Sequence, residues 1–209
     1  MIRKYECVVV ANGLFPSGEL PLQMLRQADY VIACDGAVVE LEKYRRPDMI
    51  VGDLDSLTDE VGCRYSDRII RIIEQETNDL TKAVNFAKKQ GHREVLLLGA
   101  TGLREDHTLG NISLLMQYVT GFQRIEMLSD FGLFTPLVRT TTLESQPGQQ
   151  VSLFSLYPHR AISVSGLRYP IEKRHLFSWW EATLNEAVGK EFTVTLEEGA
   201  SILVYRALK

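Results

Sequence analysis

The chain has 209 residues, 45% of them hydrophobic and 24% charged, which is the composition of an ordinary folded globular protein. A formal net charge of −4 without any block of Lys or Arg argues against nucleic acid as a partner, although scattered cations can still converge on one small anion. Cys7, Cys34 and Cys63 are odd in number and widely spaced, and His92, His107, His159 and His175 show no ligand spacing, so neither a disulfide framework nor a zinc site is expected.

The opening, MIRKYECVVVANG, has too short an apolar core for a signal peptide. No later apolar run is long enough to span a bilayer, so a cytoplasmic protein without a membrane partner is expected. Residues 5–12, YECVVVAN, form a nearly continuous β-branched run, the pattern of a parallel strand buried on both faces. A helix is predicted over 20–28, a strand over 30–34, a helix over 36–44 and a strand over 48–52. RIIRII, 68–73, is a strand candidate of mixed pattern. Over 78–91 the spacing of Leu80, Ala83, Val84 and Ala87 on one face, with Lys88 and Lys89 near the end and Gly91 after it, predicts a helix. EVLLLG, 94–99, is a fifth strand. Residues 106–119 are again helical, with Leu109, Ile112, Leu115, Met116 and Val119 on one stripe, and a strand follows over 124–129. Strands joined by helical crossovers predict an α/β fold with a doubly wound, mostly parallel sheet.

The pattern then changes. The polar stretch ESQPGQQ, 144–150, marks the expected boundary between a domain of residues 1–143 and a second of residues 144–209. The second contains short alternating runs at 151–157, 161–167, 191–198 and 201–207, the mark of half-buried antiparallel strands. So small a domain makes a marginal core by itself and is expected to lean on the first or on another subunit.

In open parallel sheets, ligands bind beyond the carboxyl ends of the strands. Asn12 and Gly13 follow the first strand here, and Asp35 and Gly36 the second. Val51-Gly52-Asp53-Leu54-Asp55-Ser56 closes the third, Gln75 to Asp79 follows the fourth, and Gly99 to His107 the fifth. If the chain stays extended after the third strand, Asp53 and Asp55 lie on one side, roughly 6–7 Å apart. Carboxylates that close repel unless a cation lies between them, and with Asp79 and Asp106 opening the next two helices, hard oxygen donors of this kind describe a Mg²⁺ site. An aspartate after a strand also suits an Asx turn or a helix cap, but five at one rim are better explained by a ligand. Gly99 and Gly102, beside Arg104, suit a backbone that approaches a phosphate. Lys82 lies one turn after Asp79, where a solvated ion pair and a phosphate contact are both open. His107 falls in the first turn of a helix, which favours neutral hydrogen bonding over acid catalysis. Neither a G-x-x-x-x-G-K-[ST] loop nor a strand-linked G-x-G-x-x-G is present, so a nucleotide site must be of another type.

In order along nearly the whole chain, these motifs resemble the thiamine pyrophosphokinase family. The family's Asp-Gly-Gly stands here as Asp35-Gly36-Ala37. Its Pro-Asp-x-x-x-Gly-Asp-x-Asp-Ser is matched from Pro47 to Ser56, and its Gln-Asp-x-Thr-Asp-x-x-Lys from Gln75 to Lys82. Its Gly-Ala-Thr-Gly-Gly-Arg-x-Asp-His is matched from Gly99 to His107, and Asn185-Glu186 resembles the end of its Ser-Asn-Glu element. The resemblance implies a C-terminal β-sandwich, a homodimer with thiamine bound between subunits, and a Mg²⁺-dependent reaction that turns ATP and thiamine into AMP and thiamine diphosphate. It implies that Asp53, Asp55 and Asp79 hold the metal, and that Asp106 orients or deprotonates the thiamine hydroxyl. Asp35, Gly36, Gln75, Asn78, Lys82, Thr101, Gly102, Arg104 and His107 then serve ATP and its phosphates, and Asn185 serves thiamine. Trp179-Trp180, close by in sequence, suits either a stacking face for the aromatic ring of thiamine, with Trp179 in that role, or a place in the core or a dimer interface. Asn78 replaces a family threonine, Ala37 and Leu103 replace glycines, and Leu184 replaces the serine of Ser-Asn-Glu. Leu184 leaves open a diphosphokinase for another heteroaromatic alcohol, such as a hydroxymethylpterin. A non-catalytic ligand sensor on the same fold is the remaining alternative.

Overall fold

A computed structural model of the chain describes residues 3–208. The chain divides into two compact units, the first ending at Asp130 and the second beginning at Phe131. The polar stretch 144–150 lies inside the second unit.

The first unit starts with β1 (Cys7–Val10), whose four residues are all buried, as a strand covered on both faces requires. Helix α1 (Glu19–Gln27) buries Pro21, Met24 and Leu25 and leads to β2 (Tyr30–Cys34). The predicted helix over 36–44 is shorter than its spacing suggested: a 3₁₀ turn, Asp35–Ala37, runs into the single helical turn α2 (Val38–Leu41). After β3 (Met49–Gly52) comes α3 (Asp59–Arg64), a helix not foreseen, whose first turn is capped by the Thr58 hydroxyl accepting from the Val61 N–H at 3.4 Å. Strand β4 (Ile69–Arg71) precedes α4 (Asp79–Lys89), which buries Leu80, Ala83, Val84 and Ala87 as the spacing predicted, together with Phe86 and Lys82. Then follow β5 (Glu94–Leu98), α5 (Glu105–Tyr118) and β6 (Arg124–Leu128). Only Leu115, Met116 and Tyr118 of α5 are buried; Leu109, placed on the same stripe by its spacing, is 52% exposed.

All strand pairings in this unit are parallel, and the spatial order is β6-β5-β1-β2-β3-β4. The chain builds outward from β1 to β4 and then returns to add β5 and β6 on the other side. Strand β1 is therefore central, β4 is an edge, and the carboxyl ends of β1, β2, β3 and β5 form one rim.

The second unit is antiparallel throughout. It comprises β7 (Gly132–Leu137), β8 (Thr141–Glu144), β9 (Gln150–Phe154), β10 (Ile162–Ser165), β11 (Ile171–Arg174), β12 (Asn185–Glu186), β13 (Glu191–Leu196) and β14 (Ile202–Ala207). Strands β12, β9, β14 and β7 are neighbours in that order, and β11, β10, β13 and β8 form a four-stranded sheet. Val151 and Leu153 of the first group share one apolar core with Val164, Phe192 and Val194 of the other, which is how a sandwich buries two inner faces. The alternation read in 191–196 holds: Phe192 and Val194 are buried and Thr195 is exposed. No helix among the described residues is long and apolar enough to cross a membrane.

Candidate active site

The stretch Gly52 to Ser56 explains itself once β2 lies beside β3, with Cys34 opposite Val51. Asp35 follows directly on β2 and is 1% exposed. A Cβ added at Gly52 would lie 2.7 Å from the Cβ of Asp35, so this glycine makes room for that carboxylate. The chain does not stay extended beyond it. Leu54 has φ 73°, the left-handed region, and this turn ends the side-by-side placement expected of Asp53 and Asp55. The Asp55 N–H instead donates to Asp53 Oδ1 at 3.2 Å, and the Asp55 side chain is exposed.

The carboxylates brought together are those of Asp35, Asp53 and Asp79, with one oxygen from each all within 4.8 Å of one another. Three different elements deliver them: the end of β2, the end of β3 and the start of α4. Asp55 and Asp106 are not among them. Their counter-charge is Lys82, and of the two readings left open for it the solvated ion pair does not hold, because the pair is buried on the lysine side. Its side chain is 2% exposed, and Nζ lies 3.1 Å from Asp79 Oδ1 and 3.7 Å from Asp53 Oδ2. Burial alone would lower the Lys82 pKa, but the hydrogen bond and charge of Asp79, with Asp53 and Glu74, hold it above its ordinary value. Asp35 is displaced upward, first by burial and then by the charges of Asp79 and Asp53, against a hydrogen bond from the Ser56 N–H at 3.3 Å. Asp53 is displaced downward, chiefly by the Asp55 N–H and then by Lys82.

Around this trio, Gln75 donates to Asp53 Oδ2 at 3.5 Å. Asn78 caps α4, its Oδ1 accepting from the Thr81 N–H at 2.9 Å. Its amide nitrogen donates to Asn111 Oδ1 at 3.0 Å, and Asn111 in turn donates to the Ala100 carbonyl at 2.8 Å. Asn111 thus ties the start of α4 to the loop after β5. Sequence reasoning missed it, because an asparagine inside a helix carries no local signal of what lies opposite.

The loop after β5 runs against the loop after β1: the Gly13 N–H donates to the Gly99 carbonyl at 2.7 Å and the Leu14 N–H to the Thr101 carbonyl at 2.8 Å. Gly99 has φ 63°, and a Cβ there would lie 2.6 Å from the Ala11 carbonyl, so backbone packing already demands glycine. Gly36 answers a similar approach, since a Cβ there would lie 2.2 Å from Asn12 Nδ2. The Gly102 N–H donates to Thr108 Oγ1 at 3.2 Å. Farther out, Arg104 grips Asp106 through two hydrogen bonds, of 3.1 and 2.5 Å, with both side chains well exposed. Asp106 also accepts the His107 N–H at 2.9 Å, and the guanidinium followed by this N–H lowers its pKa.

In the second unit, Asn185 is 4% exposed and both ends of its amide bond to backbone. Oδ1 accepts from Tyr169 at 3.1 Å and from Glu186 at 2.9 Å, and Nδ2 donates to the Tyr169 carbonyl at 2.7 Å. Trp179 sets its edge against Phe154, with ring centres 6.1 Å apart, while Trp180 is 76% exposed. Leu184 adopts φ 57° and exposes 74% of its surface.

Comparison with known proteins gives a consistent result. The profile described as "Thiamin pyrophosphokinase, catalytic domain" matches residues 22–127, and "Thiamin pyrophosphokinase, substrate-binding domain" matches residues 132–205. Thiamine pyrophosphokinase 3 of Oryza sativa subsp. japonica is 30% identical over 182 residues, covering 79% of this chain and 67% of that protein. Thiamine pyrophosphokinase 1 of the same plant is 32% identical over 143 residues, covering 61% and 53%, so the chain spans about half to two thirds of these relatives. Among solved structures, thiamine pyrophosphokinase from Bacillus subtilis superposes with a TM-score of 0.82 at 20% identity, covering 97% of this chain and 99% of that one. Thiamin pyrophosphokinase from Candida albicans gives 0.81 at 17%, covering 99% and 90%. At such identities the superpositions establish a shared fold.

Proposed function

The chain belongs to the thiamin pyrophosphokinase family, and from that premise we propose that it moves a pyrophosphoryl group from ATP to the hydroxyl of thiamine, giving thiamine diphosphate and AMP with the help of Mg²⁺. The observation that carries this reading is the trio of Asp35, Asp53 and Asp79, with its oxygens within 4.8 Å of one another and Lys82 buried beside it. The donors are all carboxylate oxygens, a hard set that suits Mg²⁺ and lacks the nitrogen and sulfur preferred by softer metals. Asp53 and Asp79, with Asp35, would hold the ion, and Asp55 stands on the same loop. Bound there, Mg²⁺ would offset the charge of the triphosphate and orient its oxygens.

The chain's own groups do the rest. Lys82 donates to phosphate oxygens at the inner end of the site. Arg104 turns from Asp106 to the phosphates, and Gln75, Asn78, His107 and the Thr101-Gly102 backbone line their path. The release of Asp106 gives the thiamine hydroxyl an acceptor. The hydroxyl oxygen attacks the β-phosphorus, its proton passes to the Asp106 carboxylate, and the bond from the β-phosphorus to the α-β bridging oxygen breaks to release AMP. Positioning and charge supply most of the rate, since phosphoryl transfer asks little other chemistry of a protein. The second unit exposes Phe177, Trp180 and Leu184, apolar surface that a homodimer with thiamine held between subunits would cover.

Incubation of the protein with thiamine, ATP and Mg²⁺ should yield AMP, and Asp53→Asn should abolish it without unfolding the chain. Formation of ADP would reject the reaction type. Leu184, where the family motif has serine, favours one second reading, a different heteroaromatic alcohol as acceptor. Calorimetry with thiamine and with a hydroxymethylpterin separates the two, because each reading requires the other compound not to bind.

A further inference from the structure

We propose that Asn111 is a positioning residue for the transfer, fixing the root of the loop that leads to Asp106 against the helix that carries Asp79; the role rests on the reaction proposed above. The need for such a residue follows from the strand order. Asp53 follows β3 and Asp79 opens α4, whereas Asp106 opens α5, beyond the loop after β5. Strands β1 and β2 stand between β5 and β3, so the sheet by itself sets those two strand ends about 14 Å apart, at roughly 4.8 Å per step. Transfer needs the acceptor oxygen within about 3–3.5 Å of the phosphorus, so the metal half and the acceptor half must be held in register by side chains above the sheet.

Asn111, half-buried in the middle of α5, has the geometry for this. Its Oδ1 accepts from Asn78 Nδ2 at 3.0 Å, and its Nδ2 donates to the Ala100 carbonyl at 2.8 Å. Asn78 directly precedes Asp79 as the N-cap of α4, and its own Oδ1 accepts from the Thr81 N–H at 2.9 Å and the Thr81 hydroxyl at 2.8 Å. It cannot swing away without uncapping the helix. Ala100 is 3% exposed and forms the root of the 99–107 loop, where a buried carbonyl requires a donor. One planar amide thus joins the two halves, offering an acceptor to one and a donor to the other, which no apolar side chain can do. The tip of the loop is left free to carry Asp106 away from Arg104 while its root stays fixed. A second bond joins the same helices about two turns farther along α5, where the Tyr118 hydroxyl lies 2.6 Å from Thr81 Oγ1.

Asn111→Ala should lower kcat about ten- to a hundredfold, the effect of letting a reacting group drift by roughly an ångström, and change Mg-ATP affinity less than about threefold, because the acid trio and Lys82 do not depend on it. Asn111→Asp keeps an acceptor for Asn78 and loses the donor to Ala100, so it should show the same loss of kcat. Amide hydrogen exchange of residues 100–106 should quicken in both variants. Tyr118→Phe is the comparison for a purely structural bond between α4 and α5: it should lower the melting temperature and leave both kcat and loop exchange unchanged. Loop exchange in Asn111→Ala equal to that of the wild type, or an equal fall of kcat in Tyr118→Phe at a temperature where both variants are folded, would overturn the positioning role while leaving the reaction intact. A wild type that makes no AMP would overturn the parent reaction and this role with it.

Discussion

Gly52→Ala is the sharpest probe of how the acid cluster is built. The added methyl would lie 2.7 Å from Asp35 Cβ and 3.3 Å from its Cγ, against ordinary contacts of 3.4–4 Å. The strain cannot spread easily, because Cys34 and Val51 are held opposite each other by the pairing of β2 with β3. Forcing a methyl into such packing costs about 1–3 kcal/mol. For a chain of this size each kcal/mol lowers the melting temperature by roughly 2–4 °C, so a mid-range cost of about 2 kcal/mol predicts a loss of about 4–8 °C. The same displacement moves Asp35 away from Asp53 and Asp79, so Mg²⁺ affinity should fall as well. Thermal denaturation followed by circular dichroism, with and without Mg²⁺, and calorimetric Mg²⁺ titration measure both effects. A variant that melts with the wild type and binds Mg²⁺ equally well would refute the claim that Gly52 exists to seat Asp35.

Asp35→Asn should stabilise the metal-free protein at neutral pH while weakening Mg²⁺ binding. Burial and the neighbouring carboxylates raise the Asp35 pKa, so the folded chain holds this proton more tightly than the unfolded one. Its contribution to stability is therefore full below the ordinary value of 3.8 and is lost as pH climbs through the raised one, which melting curves at pH 4 and pH 7 would show for the wild type and not for the variant. Leu54→Val should destabilise by about 1–2 kcal/mol, because a β-branched residue tolerates positive φ poorly, whereas Leu54→Gly should stay within about 1 kcal/mol of wild type; equal melting of the two variants would deny the strain. Asn185→Ala leaves the Tyr169 backbone N–H and carbonyl without their partner and should cost about 1–3 kcal/mol by urea denaturation. A variant of full stability that had lost only thiamine affinity would mean that this amide serves the ligand and not the fold.

Much of the first unit was legible because its strands are buried on both faces and read as continuous β-branched runs between amphipathic helices. The elements that escaped are short or mixed. Helix α3, DEVGCR, has one buried apolar residue, Val61; β7, GLFTPL, contains Pro136; and β12 is two residues long. The acids at the rim were visible as a class, since strand ends announce where ligands bind. Their grouping was not, because Asp35 meets Asp53 through the pairing of two strands, and because nothing about a leucine announces a left-handed turn between Asp53 and Asp55. Leu109 was placed in the core by its spacing, yet spacing records only that residues share a face and not whether anything packs upon it.

The burial of Lys82 has a consequence for assembly. A pocket of converging anions would ordinarily oppose its own folding until an ion arrived from solution. Here the ammonium group is tethered to the helix that brings Asp79, so the polypeptide carries its own provisional counterion. Such a protein can finish folding before any metal arrives, and the divalent ion proposed for the site would load afterwards.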